Sequence, residues 1–337
     1  MSEVVALDGM PVAAAQYAHA LAPRRRPPLA DGLPDRVVNL LHHRCEVAEV
    51  ADYNRVCGFT LTDRLPATWL HVLTFPLQLT LMTAEDFPLA PLGMVHVSNT
   101  MRQLRPVRMT EPLELRVRTE GPRPHRRGVL VDLVGEVLVA GEPVWTGRST
   151  YLSRAARLPD DGEESRGSNS SGPEEGHGSR STREPEGSRH ARPTADEEGS
   201  RQPRPSVGEE GLGQASRPPE PQLPTAGLWR LPSDLGRRYA AVSGDANPIH
   251  LNPLAAKAFG LPRTIAHGMW THAHALAALQ PRLPDSFEAS VRFAKPVLLP
   301  STVRFAAAQT AAGFATQLTN RAADKVLFAM DVSAGQR

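Results

Sequence analysis

The 337 residues predict an α+β protein that carries one architecture twice: a strongly apolar helix followed by an antiparallel meander, with a disordered linker between the copies. Three observations carry this expectation. Two apolar stretches, 66–82 and 265–279, each precede a run of four strand-like segments. Matched residues recur in the same order in both halves. Between the halves the composition loses the apolar residues that a core requires.

Residues 1–34 read as a weakly ordered leader. They mix Glu3 and Asp8 with small apolar residues, and Arg24-Arg25-Arg26 follow the apolar part, the reverse of a secretory signal. The first domain is expected over 35–157. Within it, 36–50 suits either strand or helix, and Gly58 breaks the segment that follows. The stretch 66–82 holds Trp69, Leu70, Val72, Leu73, Phe75, Leu77, Leu79 and Leu81 on nearly all sides, the pattern of a buried central helix. Pro76 asks for a kink or a first-turn position. Strand character returns at 94–104, 113–120, 129–139 and 144–152, separated by Pro-, Gly- or charge-marked turns at 122–125 and 140–143.

Residues 158–224 are the expected linker. Val207 is the only branched aliphatic residue between Leu158 and Leu212, and no aromatic residue occurs between Tyr151 and Trp229. Such a segment cannot bury enough apolar surface to offset the entropy of ordering it. Glu and Asp interleave with its Arg residues, which argues against a nucleic-acid-binding tail. The second domain spans 225–335. Ser233 or Asp234 can cap a helix running to 242, Asn252-Pro253 opens another that Gly260 stops, and an apolar helix covers 271–279. Strands follow at 287–293, 303–309, 315–320 and 326–332.

A net charge of +2 gives no electrostatic case for nucleic acid, and no run nears the roughly 18 apolar residues of a membrane span. Two cysteines, Cys45 and Cys57, make no disulfide framework and point to a reduced, cytoplasmic compartment. His267, His272 and His274 suggest a metal site, but 272 and 274 fall on different helix faces and no acid stands at a supporting spacing, so none is expected. His125-Arg126-Arg127 could hold a phosphate; a solvated hairpin turn is the preferred reading.

The internal repeat rests on three matches. Tyr53-x-x-Val56-x-Gly58 parallels Tyr239-x-x-Val242-x-Gly244, Thr68-x-x-His71 parallels Thr264-x-x-His267, and Arg105-Pro106-Val107 parallels Lys295-Pro296-Val297. This alignment sets Phe59 against Asp245 and Arg64 against His250. The first half thus reads as a degenerate copy that kept the architecture and lost an acid–base pair.

That pair lies in the stretch the chain is built around, 239–250, where an acid, an amide and an imidazole fall within six residues on a Gly- and Pro-marked bend. Asp245 and His250 could share one water, one holding it while the other moves its proton. The plainer alternative is an Asx-type turn with a surface histidine. Ser243-Gly244-Asp245-Ala246-Asn247-Pro248-Ile249-His250 resembles the signature of the MaoC-like, or hydratase 2, family, and Ile265-Ala266-His267-Gly268-Met269 resembles its second motif. The resemblance implies a double hot dog, each unit a long central helix wrapped by an antiparallel sheet. It further implies a hydro-lyase of fatty-acid metabolism, performing (3R)-specific hydration of trans-2-enoyl thioesters or the reverse dehydration. Asp245 and His250 are then the catalytic pair, Gly268 the oxyanion donor at a helix start, and Ser243, Asn247 and His267 supporting residues. Ser243 and Asn247 suit simple turn or cap roles equally well. No cofactor is implied beyond the thioester carrier, CoA or acyl carrier protein, and a homodimer of double hot dogs stays open. Two further functions fit the same resemblance: a 3-hydroxyacyl-carrier-protein dehydratase of fatty-acid or polyketide synthesis, and a non-catalytic acyl-thioester-binding subunit.

Overall fold

The structure is a computed structural model and describes residues 2–21, 25–158 and 223–335. The expected linker therefore lies, except at its two ends, outside the described residues. In chain order the elements of the first half are β1 (Glu3–Leu7), α1 (Ala13–Leu21), β2 (Arg36–His43), α2 (Val47–Cys57), α3 (Ala67–Thr83), β3 (Met94–Gln103), β4 (Leu113–His125), β5 (Gly128–Val139) and β6 (Glu142–Ser153). Those of the second are β7 (Thr225–Leu231), α4 (Leu235–Ser243), α5 (Pro248–Leu251), α6 (Pro253–Ala258), α7 (Gly268–Leu279), β8 (Phe287–Phe293), β9 (Ser301–Thr310), β10 (Gly313–Asn320) and β11 (Val326–Ala334).

All eleven strands join one sheet in the order β1-β2-β4-β5-β6-β3-β8-β11-β10-β9-β7. Apart from β1, the order on one side of the β3–β8 seam mirrors that on the other: β2, β4, β5, β6 and β3 correspond to β7, β9, β10, β11 and β8. Each half therefore contributes five strands to the double hot dog where sequence patterning finds four. The strands missed are β2 and β7, each of which leads into a helix. The ambiguous stretch 36–50 resolves as both alternatives in succession, β2 and then the start of α2.

The seam is an antiparallel ladder running from Ser98 opposite Arg292 to Gln103 opposite Phe287. The helices seal it from the other side. The Trp270 indole N–H donates to the Val56 carbonyl at 3.0 Å, and His274 Nδ1 to the Cys57 carbonyl at 2.7 Å. The buried residues of both halves form one continuous core. Every residue of α3 except Thr80 is buried, which explains its apolar circumference. Pro76 sits in the interior of that helix, so the first-turn alternative fails. The side chains of Thr74, Thr80 and Thr83 donate to carbonyls one turn back, supplementing the helix's own ladder.

The leader is part of this fold. β1 pairs in parallel with β2, Glu3 opposite Arg36 through Leu7 opposite Leu40, and α1 buries Ala13 and Tyr17 against the core. Composition predicts a loose segment because the small side chains of α1, mostly alanine, carry little apolar mass of their own; packing against the core supplies the rest.

The repeat is real, but one of its three matches is out of register. The Leu65 N–H donates to the Val107 carbonyl and the Ala266 N–H to the Val297 carbonyl, both at 2.8 Å. This equates Leu65 with Ala266 and Val107 with Val297, so Pro66 stands opposite His267 and Ala67 opposite Gly268. His71 lies inside α3 and has no relation to His267. Gly58 and Gly244 do correspond: each takes a left-handed conformation, φ 87° and 71°, at the end of its helix. From there six residues lead to the bridge at Arg64, and twenty-one to the matching bridge at Ile265. Arg64 is therefore not the counterpart of His250. The first half lacks the α5–α6 segment, so it has no position for His250, while Phe59 follows Gly58 where Asp245 follows Gly244.

Candidate active site

The second half builds its site at the end of α4. Gly244 reverses the chain, and the next three residues are held by their own side chains. Ser243 Oγ accepts the Asp245 N–H at 3.2 Å, Asp245 Oδ1 accepts the Asn247 N–H at 3.3 Å, and Asn247 Oδ1 accepts the Ile249 N–H at 3.3 Å, capping α5 behind Pro248. Asn252 caps α6 in the same way, accepting from Leu254 and Ala255. Ser243 and Asn247 thus shape and aim the loop. Asp234, by contrast, precedes α4 without a side-chain capping bond, and Ser233 provides none either.

His250 is buried on the single turn of α5, and its Nδ1 lies 2.9 Å from the Ile265 carbonyl. A carbonyl can only accept, so Nδ1 carries the proton and Nε2 keeps its lone pair. His267 Nε2 lies 2.9 Å from the Asp245 carbonyl by the same logic, and 3.8 Å from Asp245 Oδ2. The two imidazoles stack, centroids 3.6 Å apart and planes 26° from parallel. One side-chain heteroatom from each of Asp245, His250 and His267 falls within 4.8 Å of the others. Burial, followed by the neighbouring His267, pushes His250 down to about 3; burial also lowers His267. For Asp245 burial works the other way. It is outweighed by the two histidines, the Tyr17 hydroxyl and the Asn247 N–H, so the carboxyl titrates below its ordinary value. At neutral pH the site therefore holds a carboxylate beside neutral imidazoles.

Gly268 is the first residue of α7, three residues earlier than patterning suggests, so its N–H has no acceptor within the helix. A Cβ there would stand 3.0–3.1 Å from the Phe293 ring, which covers the glycine and meets the His96 ring edge-on at 5.1 Å.

The first half lines the opposite wall. His71, Val72 and Phe75 of α3, His96 of β3 and Tyr151 of β6 join Tyr239, Ser243, Asp245 and Met269 around a cavity of about 20 Å³, room for about one water. His96 stacks on Tyr151 at 4.6 Å, and burial pushes His71 to about 4 and His96 to about 3. Sequence reasoning missed these residues, and it missed Tyr17, whose hydroxyl donates to Asp245 Oδ1 at 2.5 Å. A lone histidine inside an apolar helix was the available signal for His71. For Tyr17, in a short alanine-rich stretch, there was none.

The His267, His272 and His274 trio does not converge. His274 is bound to the Cys57 carbonyl and stacks on Trp270 at 4.8 Å, while His272 lies buried in the core. His125 closes β4, where its Nδ1 accepts the Arg127 N–H at 3.2 Å, the hairpin turn preferred from sequence. It lines a groove of about 680 Å³ with Thr150 and Leu152 of β6, residues that alternate with the inward-facing Ser149 and Tyr151. That groove is thus on the face of the sheet away from Asp245.

Sheet order and paired central helices together define a double hot dog, with the histidine–carboxylate loop in its second half. Residues 214–328 match the family model of the MaoC like domain. The chain is 37% identical over 298 residues, 88% of each chain, to 3-hydroxyacyl-thioester dehydratase X of Mycobacterium tuberculosis. The crystal structure of HtdX from the same organism superposes with a TM-score of 0.66 at 33% identity, covering 89% of this chain and all of that one. A MaoC-like dehydratase from Phytophthora capsici shares the fold at 15% identity, with a TM-score of 0.60 over 89% of this chain and 94% of its own. The chain belongs to the MaoC-like dehydratase family and is a hydro-lyase.

Proposed function

We propose that the chain catalyses (3R)-specific hydration of trans-2-enoyl thioesters and the reverse dehydration of 3-hydroxyacyl thioesters, with acyl-CoA as the favoured carrier. The observation that carries this reading is the convergence of Asp245, His250 and His267 heteroatoms within 4.8 Å, beside a cavity the size of one water. Asp245, which lines that cavity, and His250 Nε2 hold and deprotonate the reacting water. Its hydroxyl adds to C3 of the acyl chain, charge moves to the thioester oxygen, and the water's proton is delivered to C2. The N–H of Gly268, aided by the positive end of α7, receives the enolate-like oxygen. Removing a neutral base or a carboxylate abolishes this step, whereas the chemistry asks nothing of a metal or cofactor.

The relative named a 3-hydroxyacyl-thioester dehydratase supports the dehydratase direction for the reaction class. The carrier-protein alternative shares every residue of the mechanism. Rates on matched CoA and carrier-protein thioesters separate the two. Cys45 and Cys57 are free thiols, which suits a cytoplasmic enzyme; among the described residues no helix is long and apolar enough to cross a membrane.

Asp245→Asn and His250→Ala are each expected to lower the hydration rate of crotonyl- and longer enoyl-CoA by about a thousandfold or more while the protein stays folded. Loss of absorbance of the conjugated thioester, with chiral analysis of the product, provides the readout. Full activity in both variants would refute the assignment. Faster hydrolysis of saturated acyl-CoA than hydration of its enoyl analogue would point to a thioesterase.

A further inference from the structure

The proposed mechanism leaves unexplained why a helix from the leader reaches the catalytic carboxylate. α1 lies across the two halves. Ala13 and Tyr17, four residues apart and hence on one face, are both buried. Gln16, beside them, donates to Thr80 Oγ1 of α3 at 2.6 Å. Ala13 meets the loop where Gly244 has no side chain: a Cβ on that glycine would come within 3.2 Å of the Ala13 Cβ. The contact at Gly244 sets the Tyr17 ring beside the next residue, Asp245. Its hydroxyl donates to Oδ1 at 2.5 Å, the length of a charge-assisted O–H···O⁻ bond.

We propose that Tyr17 is a positioning residue of the active site, supplied from outside both hot dogs, whose hydroxyl fixes and keeps ionised the Asp245 carboxylate. The division of the carboxylate's two oxygens supports this. Oδ1 takes the Tyr17 hydroxyl and the Asn247 N–H, which leaves Oδ2, on the His267 side, for the reacting water. The groups facing Asp245 are Tyr17 from α1, His71 from α3, His96 from β3, Tyr151 from β6, Tyr239 from α4, His250 from α5 and His267 before α7. No lysine or arginine is among them, and the histidines are neutral at working pH. Of the two hydrogen bonds to the carboxylate, the tyrosine's is the shorter, 2.5 Å against 3.3 Å from the Asn247 N–H. Burial and the adjacent carboxylate raise the phenol of Tyr17 well above its ordinary value, so it stays a donor throughout neutral pH.

This inference rests on the catalytic role proposed for Asp245, and the experiment separates the two. In the full-length protein, Tyr17→Phe removes the hydroxyl and keeps the ring. Expected are a drop in kcat of about tenfold or more with KM changed by less than about twofold. The acid limb of the kcat profile should move up by about one pH unit, as loss of one charge-assisted bond implies. The carboxyl titration of Asp245, followed by 13C NMR on aspartate-labelled protein with Asp245→Asn for assignment, should move in the same direction. That measurement needs no substrate. If wild-type protein fails to hydrate enoyl thioesters yet Tyr17→Phe shifts the titration, the function falls and the positioning contact stands. An unshifted titration overturns the proposal, whatever the kinetics. A rise in kcat/KM, both in Tyr17→Phe and on deletion of residues 2–21, overturns it too, since α1 would then be a plug over the site.

Discussion

At the scale of single residues, Gly268 poses the sharpest question, because two physical reasons for a glycine coincide there. The oxyanion donor proposed at this helix start needs open approach for the thioester, and the Phe293 ring needs the space a Cβ would take. Gly268→Ala should therefore slow hydration by about a hundredfold through displacement of the reacting group. It should also destabilise the fold by about 1–3 kcal/mol through overpacking. Adding Phe293→Leu separates the effects: chemical denaturation should recover most of the lost stability while the rate stays low. If the rate returns with the stability, Phe293 packing alone explains the glycine. Asp245, His250 and Gly268 were all readable from sequence, since they sit in contiguous motifs with turn chemistry of their own. Tyr17, His71 and His96 were not. Each reaches the site through tertiary packing, and nothing adjacent to them in sequence records it.

At the scale of elements, the site depends on a segment the first half lacks. The turn at Gly58 proceeds directly to the bridge at Arg64, whereas the turn at Gly244 first completes α5 and α6. Both short helices start with Asn-Pro, and both asparagines accept backbone N–H groups, yet only one lies between the proposed catalytic groups. Asn252→Ala should cost about 1 kcal/mol of stability, the usual value of an N-cap, and leave kcat within about twofold. Asn247→Ala removes a similar cap but also loosens the turn between Asp245 and His250, so kcat should fall well beyond what the stability loss suggests. Urea midpoints and steady-state rates on the two variants test this; equal kinetic effects would mean that the α5 cap has no special bearing on the site. The elements themselves show what patterning captures. Apolar runs gave α3 and most of α7, and alternation gave eight of the eleven strands. Strands β1, β2 and β7 escaped because they sit at or near the sheet edges and carry too little alternation to separate from loop. The repeat was legible from Gly and Pro-Val landmarks, but Thr-x-x-His misled, because threonine and histidine are common near helix starts and no backbone constraint ties them there.

At the scale of the whole molecule, fusing two hot dogs into one sheet lets a complete loop face a wall from the half that has none. Several imidazoles are buried in the interior of this arrangement. Burial pushes His250, His96 and His272 to about 3 and His71 to about 4, far below an exposed imidazole. In the unfolded chain all four titrate near about 6.5. Between about pH 6.5 and pH 4 the unfolded state therefore binds protons that the folded state refuses. By linkage, stability is fully present above that range and falls as pH drops, by up to about 1.4 kcal/mol per pH unit for each such histidine. Asp245, whose folded-state value is depressed, adds its own loss only further down, once pH falls below the ordinary carboxylate range. The protein should thus lose most of its acid resistance between pH 6.5 and 4.5, before carboxylates protonate. Urea midpoints at half-unit steps from pH 8 to pH 4 check this: a plateau above pH 7 and a steep fall below pH 6 are expected. His272→Gln, which removes one buried imidazole from the core, should make that fall shallower and leave the plateau's onset unchanged. A midpoint that stays level down to pH 4.5 would mean that these histidines accept protons within the fold, and the neutral imidazoles assigned to the site would have to be abandoned with them.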